Sequence, residues 1–222
     1  MSLALFDLDG TLIPGDSDHA FGEYIIALGW ADALEHKARN DGFYADYMAG
    51  TLDVAAYTDF ATSAWRHRPL AQVDAALEVF VHDIVRPMLG DAARDLVERH
   101  RAAGDELVLV TATNDAVTRP IARLLGIPTL IATELERDDG GQATGRVQGV
   151  PSFQEGKVVR VQSWLADRGT SLARLPASHF YSDSANDIPL LEAVTHPVAT
   201  NPSASLERHA RARGWPVLKL YP

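Results

Sequence analysis

The sequence contains no cysteine in its 222 residues. That absence removes disulfides, thiolate metal sites and a cysteine nucleophile together, and it leaves the redox compartment open. No apolar run approaches the roughly 18 residues that a membrane-spanning helix needs. Basic clusters are equally scarce. The longest is Arg66-His67-Arg68, and 20 Lys and Arg stand against 30 Asp and Glu for a formal charge of −10. Such a balance lacks the footprint that neutralises nucleic-acid phosphates or clings to an anionic membrane, so neither partner is expected, and an anionic substrate has to be gripped locally. No G-x-S-x-G, Walker A, G-x-G-x-x-G or H-E-x-x-H pattern occurs. The 8 histidines form no i, i+4 pair and read as ordinary core or surface residues. Internal repeats and low-complexity tracts are missing too.

What is present is the composition of a globular protein, 46% hydrophobic and 23% charged, at a length that suits one domain or a core with a smaller insertion. The first residues, Met1 to Asp9, have no basic n-region and carry two aspartates where a signal peptide needs its apolar centre, so a cytoplasmic location is expected.

Short apolar runs at Leu3 to Leu8, Leu107 to Val110, Thr129 to Ala132, His179 to Tyr181 and Val217 to Leu220 read as strands. Helical patterns separate them, at Asp91 to Ala103, Asp115 to Leu125, Glu155 to Asp167 and Ile188 to Val194. This alternation predicts an α/β fold: a Rossmann-like, parallel-sheet core with helices on both faces. Residues 16–87 interrupt it with helical periodicity alone (Phe21, Tyr24, Ile25, Leu28; Tyr57, Phe60, Ala61, Ala64), between turn signals at Pro14-Gly15 and Pro87 to Gly90. The expected division is a core of 1–14 plus 88–222 and an inserted helical cap of 15–87. A β-hairpin is predicted over Glu134 to Gln148, turning at Asp138-Asp139-Gly140-Gly141.

Ligands of open α/β sheets bind beyond the carboxyl ends of the strands. Four segments there or nearby carry chemistry: Asp7-Leu8-Asp9-Gly10-Thr11, Thr111 to Asn114, Lys157 on its helix, and Asp183-Ser184-Ala185-Asn186-Asp187. Carboxylates at Asp7, Asp9, Asp183 and Asp187 would repel one another unless a cation sits among them. An all-oxygen donor set favours Mg²⁺, which also binds substrate phosphate. The Thr111 hydroxyl, nearby main-chain N–H groups including that of Ala112, and the Lys157 ammonium could neutralise a transferring phosphoryl group.

In this order the four segments resemble the signature motifs of the haloacid dehalogenase superfamily of phosphatases. D-x-D-G-T is Asp7 to Thr11, the hydroxyl after a strand is Thr111, the lysine is Lys157, and D-x-x-x-D is D-S-A-N-D. Asn186 before the last aspartate, the run T-E-L-E…D-G-G-Q-A-T-G…E-G-K and the helical insertion are similar to the phosphoserine phosphatase-like branch. The resemblance implies that Asp7 is the nucleophile, forming an aspartyl-phosphate, and that Asp9 is the general acid and base. It implies Mg²⁺ on the Asp7 carboxylate, the Asp9 main-chain carbonyl and Asp183, with Asp187 supporting the metal and Lys157. It further implies that Thr111, Ala112, Lys157 and Asn186 serve the phosphate.

The resulting expectation is a Mg²⁺-dependent phosphomonoester hydrolase for a small phosphorylated metabolite. Phosphoserine is the first candidate, and histidinol phosphate or a sugar phosphate is equally compatible with the core motifs. A phosphomutase, or a phosphometabolite-binding protein without catalysis, are the alternatives; a dehalogenase has no alkoxide for Asp9 to protonate. Asp16 and Ser17 read first as a helix N-cap beside the site. Trp30 and Trp65 read as packing residues. Arg66 and Arg68 read as solvated, although a cation there would select a carboxylate-bearing substrate. Nothing in the sequence sets the oligomeric state.

Overall fold

The computed structural model describes residues 2–221; Met1 and Pro222, the ends of the expected core, lie outside them. Six parallel strands form the central sheet in the order β3-β2-β1-β6-β7-β8. They are β1 (Leu3–Phe6), β2 (Glu106–Asn114), β3 (Thr129–Thr133), β6 (Ser178–Ser182), β7 (His196–Thr200) and β8 (Val217–Leu218). The alternating faces of β1 show why the sheet is buried on both sides. Ala4 and Phe6 enter one apolar cluster with Leu107 and Leu109 of β2, and Leu3 and Leu5 enter the other with Val108 and Val110. Helices α6 (Asp91–Ala103), α7 (Asp115–Leu124), α8 (Glu155–Ala166), α9 (Ile188–Ala193) and α10 (Ala204–Arg213) connect or cover the strands.

Strand order reverses at β1: β2 and β3 follow on one side, β6 to β8 on the other. A crevice opens at such a reversal, beyond the carboxyl ends of β1, β2 and β6.

Between β1 and α6 the chain is helical, with α1 (Ser17–Ala27), α2 (Ala33–Ala49), α3 (Val54–Ser63), α4 (Leu70–Phe80), a π-helical turn Val81–Val85 and the short α5 (Arg86–Met88). Asp16, Asp32 and Asp53 cap α1, α2 and α3 by accepting main-chain N–H groups. Phe21, Ile25, Leu77, Phe80 and Val85 bury their side chains in the same cluster as Phe6 and Leu109, so this insertion shares the core's packing. The antiparallel hairpin of β4 (Leu135–Arg137) and β5 (Ala143–Val147) packs against α3 from the other side. No helix among the described residues is long and apolar enough to cross a membrane.

The structure differs from the sequence expectation in several places, one being that β8 ends at Leu218 and not at Leu220. β1 stops at Phe6, which leaves Asp7 as the first residue beyond the strand. β2 runs on to Asn114 through the β-branched Thr111 and Thr113, with a register irregularity against β3 between Val110 and Asn114. β7 was not predicted, because Pro197 reads against a strand; here it lies within one, opposite Phe180. α10 was missed because its ten residues are mostly charged, small or polar, with Leu206 and Ala210 alone fully buried.

Candidate active site

Asp7, Lys157, Asp183 and Asp187 converge at the crevice although they are far apart in sequence. Lys157 enters from α8 and its side chain is buried. Nζ lies 2.9 Å from Asp7 Oδ1 and 2.7 Å from Asp187 Oδ2, and the Ser182 hydroxyl donates to that same Asp187 oxygen at 2.7 Å. Burial alone would lower the ammonium's pKa, but Asp187 and Asp7 outweigh it and hold the group above its ordinary value. Lys157 is therefore charged at neutral pH.

Asp7 responds in the opposite sense to its surroundings. Its carboxyl is raised to about 7, with burial pushing it up most, Lys157 pulling it down, and Asp187 and Asp9 adding to the rise. Asp183 is raised well above the carboxylate range by burial, by Asp7 and by Asp187. Thr11 joins the two: its hydroxyl lies 3.5 Å from Asp7 Oδ2 and 3.3 Å from Asp183 Oδ1, and it accepts the Asp183 main-chain N–H at 3.0 Å. Gly10, at φ +70°, makes room for this approach, since a Cβ there would stand 2.3 Å from Asp183 Oδ2. A crevice that raises two neighbouring carboxyls by burial and mutual repulsion, with oxygen donors alone, suits a small hard cation. Asp7 and Asp183 are the side chains that fit it.

Asp9 lines, with Asp7, a cavity walled on its far side by residues of the helical insertion. Its Oδ1 accepts the Ser17 main-chain N–H at 2.6 Å and its Oδ2 accepts the Thr113 hydroxyl at 2.9 Å. Burial and the charge of Asp16 raise its carboxyl to about 7 against these bonds. A carboxyl poised there holds or releases a proton near neutrality, as a general acid and base must.

Thr111 and Ala112 line the cavity with Asp7 and Asp9, and the Thr111 oxygen accepts the Thr113 N–H at 3.2 Å. Asn186 is placed differently. Its amide donates to the Tyr47 carbonyl at 2.9 Å and its oxygen accepts from Gln154 at 3.2 Å, so it ties the end of α2 to the core and does not line the cavity. Gln154 also donates to the Gly50 carbonyl at 3.1 Å, from a strained backbone at φ +50°. Arg66 pairs with Asp59, and Arg68 lies 4.3 Å from the centre of the Trp30 ring; neither lines the cavity, so the carboxylate-selecting role considered for them has no geometric support.

The fold gives specific roles to residues that the sequence placed near the site without one. Thr113, within the Thr111 to Asn114 segment, shares a strand face with Thr111 at i, i+2 and donates to Asp9. Ser17, read as part of a helix N-cap beside the site, contributes its main-chain N–H. Away from the site, His100 meets Asp105 at 2.6 Å, the Tyr181 hydroxyl at 2.7 Å and the ring of His179; both of its nitrogens are hydrogen-bonded, as a packing histidine's would be.

Comparison with known proteins places this geometry. Residues 4–192 match the haloacid dehalogenase-like hydrolase family. A histidinol-phosphatase of Neisseria meningitidis is 42% identical over 217 residues, covering 98% of each chain. A phosphoserine phosphatase of Mycobacterium tuberculosis is 35% identical, covering 96% of this chain and 69% of that one. Among solved structures, a Bordetella pertussis protein of unknown function superimposes with a TM-score of 0.93 at 48% identity, over 99% of both chains. A substrate-bound phosphoserine phosphatase shares the fold, at a TM-score of 0.69 and 18% identity, over 97% of this chain and 91% of that one.

Proposed function

Because the chain belongs to the haloacid dehalogenase-like hydrolases and is a phosphatase, we propose that it is a Mg²⁺-dependent phosphomonoester hydrolase working through an aspartyl-phosphate on Asp7. The observation that carries this reading is the pairing of two differently held carboxyls at one strand end. Asp7 is fixed by Lys157 and Thr11 on the crevice floor, and Asp9 is turned by Ser17 and Thr113 into the substrate cavity.

In the first step an Asp7 carboxylate oxygen attacks phosphorus and the bond from phosphorus to the leaving alkoxide breaks. The Asp9 carboxyl gives its proton to that alkoxide. In the second, Asp9 takes a proton from water, whose oxygen attacks phosphorus and releases inorganic phosphate and the Asp7 carboxylate. Lys157, kept charged by Asp187, balances the phosphoryl oxygens, and Thr111 and the Ala112 N–H donate to them. Mg²⁺, held by the Asp7 and Asp183 carboxylates and the Asp9 main-chain carbonyl, would supply further neutralisation of phosphate charge. Asn186 and Gln154 act on this pathway through closure, by fastening α2 to the core.

Residues 15–87 are the cap in this reading, and 1–14 with 88–222 the core. The cavity between them, lined by residues of both, would hold a small metabolite apart from bulk water while leaving room for the one water that the second step consumes. Histidinol phosphate is the first substrate to try, given the relative of that activity at 42% identity. The test is phosphate release with and without Mg²⁺ from histidinol phosphate, phosphoserine, sugar phosphates, nucleotides and an aryl phosphate, with Asp7→Asn as the blank. Metal-dependent release from one member supports the reading. Phosphoryl recovered on a second hydroxyl would replace it with a mutase, and no release from any compound would overturn it.

A further inference from the structure

The cavity beside Asp9 has an unusual electrical balance. Asp7, Asp9, Asp16 and Asp18 line it, and no lysine or arginine does among the described residues. Much of its remaining wall is aromatic: Phe43, Tyr44 and Tyr47 of α2, Tyr57 of α3, and Phe153. Three of the four carboxyls already have an occupation. Asp7 and Asp9 belong to the reaction, and Asp16 caps α1 by accepting the N–H groups of Asp18 at 3.0 Å and His19 at 2.8 Å.

Asp18 has none. The residue is 6% exposed, and its two oxygens accept from the amide of Asn114 at 3.1 and 3.3 Å, with Tyr57 lining the same cavity. That donor is neutral. The nearest imidazole, that of His19, holds Nε2 on Asp41 at 2.9 Å. A buried carboxylate served by neutral dipoles in an aromatic chamber is a costly arrangement unless a cation arrives with the ligand, and aromatic walls are themselves suited to a cation.

Resting on the phosphatase reading above, we infer that Asp18, oriented by Asn114, selects the substrate by its ammonium group, and that the natural substrate is the monophosphate of an amino alcohol without a free carboxylate. The phosphate end lies at Asp7, Thr111 and Ala112, and the ammonium end lies at Asp18, one residue beyond the Ser17 N–H that holds Asp9. A substrate carboxylate would face Asp9, Asp16 and Asp18 with no lysine or arginine to receive it, and His19, which also lines the cavity, is engaged by Asp41. This sets phosphoserine aside, whereas histidinol phosphate brings an ammonium and a flat ring for the aromatic wall.

The experiment compares kcat/KM for histidinol phosphate, its desamino counterpart and phosphoserine in the wild-type protein, Asp18→Asn and Asp16→Asn, with folding checked by circular dichroism. The wild type is expected to prefer the amine over the desamino compound by roughly ten- to a hundredfold, the range for a hydrogen bond to a charged group, with phosphoserine the poorest substrate. Asp18→Asn is expected to bring the amine preference close to unity, with the loss carried by KM. A wild-type protein indifferent to the amine, or Asp18→Asn with its preference intact, overturns the inference. Asp16→Asn decides if Asp18→Asn does not fold: a preference that survives there leaves the acceptor at Asp18, and one that vanishes removes it. Metal-dependent turnover of an aryl phosphate by the wild type separates the two levels, since its absence overturns the phosphatase reading itself.

Discussion

Thr113 donates its hydroxyl to Asp9 Oδ2 at 2.9 Å from the carboxyl end of strand β2, and so fixes which way the second aspartate of the D-x-D pair faces. Asp9 Oδ1 is held from the other side by the Ser17 N–H, so the carboxyl has no freedom to rotate while both bonds stand. Thr113→Val keeps the shape and the strand propensity but loses the donor. We expect kcat to fall about ten- to a hundredfold with KM little changed, the pattern of a group that acts in the transition state. Steady-state kinetics decide it: wild-type kcat in the valine variant would show that Ser17 alone orients Asp9.

Asp7→Asn and Asp9→Asn should separate the two halves of the reaction. Both are expected to lower turnover by orders of magnitude; Asp9→Asn should leave the thermal midpoint at or slightly above wild type, because an amide has no charge to bury, and Asp7→Asn should keep the fold because Lys157 retains Asp187 as its counter-charge. Asp7→Asn cannot form the acyl phosphate. Asp9→Asn can still form it with an activated aryl phosphate and then lacks the base that deprotonates water, so intact-protein mass spectrometry should find one added phosphoryl group in that variant and none in Asp7→Asn. A phosphoryl adduct in Asp7→Asn would move the nucleophile elsewhere.

Removal of divalent metal should abolish turnover, and Mg²⁺ should restore it. Asp183→Asn is expected to raise the Mg²⁺ concentration needed for half-maximal activity by tenfold or more, since one of the two carboxylates that would hold the metal is gone. Full activity in excess chelator would remove the metal from the reading and leave Asp183 as a partner of Thr11 alone.

Lys157 bears on stability as well as chemistry. It sits between Asp7 and Asp187 with its side chain 1% exposed, and truncation leaves two buried carboxyls without their cation. Breaking a buried pair in this way costs about 3–5 kcal/mol, which in a chain of this size lowers the thermal midpoint by on the order of 10 °C. Lys157→Ala should therefore lose both activity and heat resistance, and calorimetry that finds an unchanged midpoint would show that Asp7 and Asp187 simply take up protons.

Most of the parallel sheet, the helices α6 to α9 and the four motif-bearing segments were legible because each is local: an apolar run, a helical period, a turn, a motif of a few residues. Strand β7 was hidden by Pro197, which sits inside the sheet where propensity argues against it. The cavity wall was illegible for a different reason. Tyr57, Asn114 and Asp18 lie on three separate elements, and only the packing of α1 and α3 over β2 makes them neighbours. Asn186 shows the reverse limit: its motif was read correctly as a pattern, yet the pattern does not reveal that its amide faces the Tyr47 carbonyl of the helical insertion.

Asp18 also sets a pH dependence of stability whose sign can be worked out. Burial raises its carboxyl to about 7 from an ordinary value of 3.8, with Asp9 adding to the rise and Tyr57 and Asn114 opposing it. Below about pH 4 the folded and unfolded chains both hold the proton, and the group's contribution is fully present. Between about pH 4 and 7 the unfolded chain has released the proton and the folded chain retains it, so stability falls as pH rises, by at most about 1.4 kcal/mol per pH unit. Above about pH 7 both states are ionised and the loss is complete and constant. Asn cannot titrate. The thermal midpoint of the wild type, measured without metal or substrate, should therefore decline relative to that of Asp18→Asn across this window and run parallel to it at higher pH. Parallel curves throughout would mean that Asp18 keeps an ordinary carboxyl in the fold, solvated well enough to need no cation from a ligand.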